Sequence, residues 1–114
     1  MQRYKPGSVV KVPFPYTNRP TTQYRPALVL AEIADHSGPP LLWVVMITSA
    51  AHRRWEGDIE IADSAGAGLP VASVVRPSKI ATIESRQAIA IGMLELHVFD
   101  AVRSWVVRRL EPVV

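Results

Sequence analysis

A chain of 114 residues with 48% hydrophobic and 20% charged side chains has the composition of a single globular domain over residues 1–114, which excludes a wholly disordered chain. Its ten acidic and 13 basic residues leave a net charge of +3, and the absence of cysteine excludes a disulfide scaffold and a Cys-ligated zinc site. No apolar run approaches the ~18–20 residues of a membrane helix, and the N-terminal MQRYKPGSVVKV reaches a Pro-Gly turn before any apolar stretch, so a cytoplasmic protein without a membrane partner is expected.

Ten prolines punctuate the chain and leave no room for a long helix before Pro77, because an interior proline costs about 3 kcal/mol or more. Apolar and β-branched runs predict strands at Ser8–Val12, Ala27–Glu32, Leu41–Thr48, Asp58–Ile61, Ser73–Arg76 and Ile80–Glu84, with a seventh at Ala88–Met93. The unbroken LLWVVMI run at 41–47 reads as a strand buried on both faces. Asp58-Ile59-Glu60-Ile61 alternates, which predicts a wet face carrying the two carboxylates. A long loop at Pro13–Tyr24 separates the first two strands, and long loops on compact domains are often functional. From Val98 to Leu110 the period becomes helical, with Phe99, Val102, Val106 and Leu110 on one face. Asp100 sits in its first turn, Arg108 and Arg109 in its last, and His97 is a weak N-cap. The expected architecture is mainly β: a small barrel of six or seven strands with a C-terminal helix.

Charge is uneven along this chain. Residues 1–55 hold seven basic side chains against Glu32 and Asp35, whereas residues 56–114 hold six basic and eight acidic ones. The basic half also carries Phe14, Tyr16, Tyr24, Trp43 and Trp55. Cations beside rings are what single-stranded nucleic acid requires, although ordinary surface scatter gives the same balance. The three histidines show no metal-ligand spacing, so no metal and no cofactor is expected.

Several segments in series resemble the MazF/PemK family of toxins. They are GSVVKVPFPYT at 7–17, RPALVL at 25–30, ITS at 47–49, GDIEI at 57–61, AGLP at 67–70, SVVR at 73–76 and KIATI at 79–83. Each is weak alone and specific in this order. The resemblance implies a small SH3-like β-barrel of the PemK/CcdB type with a C-terminal α-helix, a homodimer, metal-free cleavage of single-stranded RNA, and a cognate antitoxin as partner. It carries over Arg25 and Thr48 as catalytic residues. Thr17, Asn18, Ser49, Arg53, Arg54, Trp55, Arg76 and Lys79 are the expected substrate-binding set. Asn18 stands where the family often has Asp, Gln23-Tyr24 where it often has a basic pair, and Leu96-His97-Val98-Phe99 where it has a Ser-Pro-Glu type of helix start.

The chemistry suits these residue types. In metal-free cleavage the ribose 2′-hydroxyl attacks the adjacent phosphorus, and the protein must orient the strand and stabilise the crowded anion. A guanidinium stays charged and donates two hydrogen bonds to phosphate, but is no ground-state base. A Thr hydroxyl holds a non-bridging oxygen or orients the attack. Each candidate has a plainer reading: Arg25 as a surface cation, Thr48 as a strand-end hydrogen bonder, Trp55 as half-buried packing, Arg76 and Lys79 as solvated charges. His52 would be a natural proton shuttle, but a lone loop histidine is more often a solvated residue, and the family does not depend on one there. The rival from another class is a binding module on the same barrel, either a gyrase-poisoning toxin or an inactive RNA binder.

Overall fold

The computed structural model describes residues 4–14 and 23–112. Six strands, β1 (Ser8–Phe14), β2 (Gln23–Ile33), β3 (Leu41–Ser49), β4 (Ile59–Glu60), β5 (Ser73–Glu84) and β6 (Ile89–Met93), precede the helix α1 (Leu96–Leu110). They form one antiparallel sheet in the order β4-β5-β3-β2-β1-β6, curled into a half-barrel. Thr17 and Asn18, in the loop between β1 and β2, lie outside the described residues.

Alternation along the strands divides the apolar side chains between two faces. One face collects Val10, Val12, Ala27, Val29, Val44 and Met46 with Tyr4, Phe14 and Ile83. The other collects Val9, Leu28, Val45, Ile47 and Val75 and is covered by Val98 and Val102 of α1 and by Ile61, Ala67 and Leu69. The turn bearing Ala67 packs tightly on β6. Gly68 there has φ 85°, and a Cβ at this position would collide with the Ile91 carbonyl, so glycine is required.

The elements differ from expectation at several points, each for a physical reason. The strands expected at 73–76 and 80–84 are one strand, β5, but its pairing with β3 jumps from Met46↔Arg76 to Val45↔Ile80. Pro77, at this jump, has no N–H to give the ladder. The 41–47 run is not buried on both faces, because Trp43 is 50% exposed. The helix starts at Leu96 with Glu95 as its N-cap, not after His97; the Glu95 carboxylate instead accepts from Asp63 N–H at 3.0 Å. Leu110, expected on the buried face, is exposed, since the last turn of α1 lies beyond the apolar cluster beneath Val98 and Val102. Among the described residues, no helix is long and apolar enough to cross a membrane.

Candidate active site

Two neighbouring strands and one turn build the cleft that holds the expected catalytic pair. Arg25 comes from the first half of β2, where it pairs with Val12 of β1. Thr48 stands near the end of β3, opposite Val74 of β5. Arg25, Thr48, Ser49 and His52 line a cleft of about 190 Å³, completed by Pro26, Ile47, Pro70, Val71 and Ser73. No carboxylate is among these residues.

The Thr48 side chain is fixed from both directions along the chain. It sits on the core strand and is only 5% exposed. Immediately after it, the chain reverses: Ala50 N–H donates to the Ala72 carbonyl at 2.8 Å and His52 N–H to the Ser49 carbonyl at 3.1 Å. Ser49 Oγ accepts from Ala51 N–H at 3.1 Å, a local side-chain turn of the kind serine favours. The reversal returns His52 to Thr48, with 2.8 Å between Thr48 Oγ1 and His52 Nδ1. Thr48, His52 and Arg25 therefore line one concave surface.

The remaining candidates gather around a carboxylate that sequence reading had placed in water. Asp58 has a side chain only 1% exposed, contrary to its expected place on the wet face of an alternating strand. Arg76 donates from Nε to Oδ1 at 3.0 Å and from Nη2 to Oδ2 at 2.9 Å, the bidentate fork that guanidinium geometry favours. Trp55 N–H donates to Oδ2 at 2.9 Å. The Arg76 hydrogen bond, ahead of any other influence, holds the Asp58 carboxyl below its ordinary range, while burial works the other way.

This geometry corrects the expectation for Arg76. Its guanidinium is buried, bound to Asp58, and spends Nη2 also on the Arg53 carbonyl at 2.9 Å, so it fastens the 53–58 loop and is not presented to a phosphate. Arg54 is half-exposed and reaches Glu60 at 3.4 Å. Arg53 and Lys79 are exposed. Trp55 is 43% exposed, with the Arg76 guanidinium 4.2 Å and the Lys79 ammonium 5.6 Å from its ring centre. Gly57, with φ 91°, closes the loop; a Cβ there would stand 2.8 Å from Trp105 Nε1 of α1, so the loop is also seated on the helix.

Two features escaped the sequence. The Asp58–Arg76 pair joins residues 18 positions apart and had no local signal. The Thr48–His52 contact did have one, since an i,i+4 pair meets wherever the chain makes a single helix-like turn, but nothing local said that residues 49–52 would turn. Among the described residues, no three metal-ligating side chains gather.

A profile of the PemK-like, MazF-like toxins of type II toxin–antitoxin systems matches residues 5–110. Similar solved structures include a MazE–MazF complex from Deinococcus radiodurans, 21% identical at a TM-score of 0.67 over 96% of this chain and 97% of that one. MazF from the same organism is 23% identical at 0.67, over 94% and 96% of the two chains. An endoribonuclease in complex with its cognate antitoxin from a mycobacterial species is 15% identical at 0.68, over 96% and 95%. At these identities the likeness establishes the fold. No curated protein matches the chain.

Proposed function

Since the chain belongs to the PemK-like, MazF-like family of toxins of type II toxin–antitoxin systems, we propose that it is a sequence-specific endoribonuclease that cuts single-stranded RNA without a metal ion. The observation that carries this reading is the shared cleft of Arg25 and Thr48. The ribose 2′-hydroxyl attacks the neighbouring phosphorus, the 5′-oxygen leaves, and the products end in a cyclic phosphate and begin with a 5′-hydroxyl. Arg25 meets the charge that grows on the phosphoryl oxygens, and Thr48 orients the attacked group from its rigid strand end. Ser49, at the cleft, and the exposed Arg53, Arg54, Trp55 and Lys79 beside it receive the flanking strand, cations to phosphate and the indole to a base.

A cognate antitoxin is the expected protein partner, in keeping with the antitoxin complexes among the similar structures. The protein acts in the cytoplasm as a homodimer, a reading supported by the exposure of Trp43 and Ile80 on adjacent strands, since exposed large apolar side chains mark interfaces when they cluster. Incubation with a mixed RNA in EDTA tests the activity. Cleavage with cyclic-phosphate ends is expected, and one deoxynucleotide 5′ to the scissile bond abolishes it while leaving binding. Intact RNA overturns the proposal and leaves a binding module of the same fold; cutting of the deoxy substrate or inhibition by EDTA overturns the metal-free 2′-hydroxyl mechanism.

A further inference from the structure

We infer that His52, acting through the Thr48 hydroxyl, takes up the proton of the attacking 2′-hydroxyl; this rests on the RNA-cleaving reading and supplies the proton acceptor that Arg25 and Thr48 lack. The cleft lining is an arginine, three hydroxyl-bearing side chains, His52 and apolar residues. Arginine does not give up its proton in proteins, and serine and threonine hydroxyls do not hold a charge near neutrality. An imidazole exchanges a proton in that range. Among the described residues lining the cleft, His52 is the one group suited to acid–base work.

The geometry connects it to the reaction. Thr48 Oγ1 and His52 Nδ1 are 2.8 Å apart, hydrogen-bond distance for proton transfer. With the ring neutral and its proton on Nε2, Nδ1 accepts the Thr48 O–H, leaving the hydroxyl oxygen to accept from a 2′-hydroxyl. With the ring protonated, Nδ1–H donates to Thr48, whose oxygen then loses that proton sink. The state of the ring therefore decides whether Thr48 can pass a proton on. Among the described residues, the charged residue that lines the cleft with His52 is Arg25 from β2, and Arg53 is the histidine's neighbour in the chain; β3, β5 and the 70–71 segment contribute no charged lining residue.

The step balances without a co-reactant beyond water. As the O2′–P bond forms, the O2′ proton passes to Thr48 Oγ1 while the Thr48 proton passes to His52 Nδ1. The P–O5′ bond breaks, and the departing O5′ takes a proton from water to become the 5′-hydroxyl. His52 is exposed, so its proton leaves to solvent and neutralises the hydroxide formed. His52 does not touch the substrate; it is a positioning and proton-accepting residue whose effect runs through Thr48.

The test measures kcat and KM on a short RNA against pH, in EDTA, for the wild type, His52→Ala, His52→Asn and Thr48→Ala. Removing the acceptor should lower kcat about 10²-fold with KM unchanged. The wild type should slow on acidification, and His52→Ala should lose that dependence. Free imidazole should restore part of the His52→Ala rate and none of the Thr48→Ala rate. His52→Asn keeps a hydrogen bond to Thr48 but cannot take a proton, so it should stay slow. Wild-type rates in His52→Asn would overturn proton acceptance in favour of orientation alone. Wild-type kcat and pH dependence in His52→Ala, or a loss confined to KM, would also overturn it, while the RNA-cleaving reading survives. Full activity in Thr48→Ala would overturn the relay through Thr48, whereas an inert wild type would instead remove the cleavage reading itself. Coincident thermal melts of the two His52 variants and wild type separate these results from misfolding.

Discussion

Arg25 and Arg76 belong to one sheet but differ in their surroundings. Arg76 is buried against a buried carboxylate in a two-pronged pair, and the same guanidinium holds the Arg53 backbone. Arg25 is half-buried and lines a cleft in which no carboxylate takes part. Residue type does not separate these roles. The Arg76 guanidinium, matched to an internal carboxylate, organises the protein, whereas Arg25 is a lining residue of the concave surface at which RNA cleavage is proposed. The Asp58–Arg76 cluster holds the 53–58 loop; the Arg25–Thr48–His52 cleft is where the proposed cleavage takes place.

Breaking the structural side should have the larger effect. Asp58→Ala leaves Arg76 buried without its counter-charge and should cost about 3–5 kcal/mol of stability, read as a fall in the urea midpoint. Replacing both partners by apolar residues of similar volume should recover much of that loss; failure to recover would mean that the polar contacts to Trp55 and Arg53 matter more than the charge pair. On the chemical side, Arg25→Ala and Thr48→Ala should each lower the cleavage rate about 10²–10³-fold with a smaller fall in the urea midpoint than Asp58→Ala. Arg25→Lys should rescue poorly, because an ammonium lacks the planar fork. A large stability loss in Arg25→Ala would erase the contrast with Arg76.

Acidity sharpens the same contrast. The Asp58 carboxyl titrates lower in the folded protein than in the unfolded chain, chiefly because of Arg76. Its stabilising contribution is therefore complete above the unfolded carboxylate range of about 4 and disappears as pH falls through the folded value. The stability gap between wild type and Asp58→Asn, measured by urea unfolding, should be largest near neutrality and close on acidification. A gap independent of pH would assign the effect to packing.

The smallest effect belongs to the exposed cations. Four phosphate contacts, by Arg25, Arg53, Arg54 and Lys79, would give a log–log salt slope for RNA binding of about −3. Removing Arg53 and Arg54 together should flatten it to about −1.4 while some cleavage remains, because contacts made equally in bound substrate and transition state strengthen binding without speeding chemistry. An unchanged slope would place the RNA path elsewhere on the surface.

Much of this architecture could be read from the chain alone. Proline positions confined the helix to the C-terminus, and apolar periodicity marked where strands lie, because both act within a few residues. The ordered RPALVL and ITS segments singled out Arg25 and Thr48. Tertiary structure alone decided what each of them faces. Alternation along 58–61 placed Asp58 in water, but β5 lies against β4 and brings Arg76 onto that carboxylate. An unbroken apolar run buried Trp43, but the curl of the sheet leaves it half-exposed. His52 had no partner legible in the sequence; the hydrogen bonds of residues 49–52 bring its ring to Thr48. Local sequence sets the periodicity of an element, whereas the burial and pairing of a side chain depend on which distant strand arrives beside it.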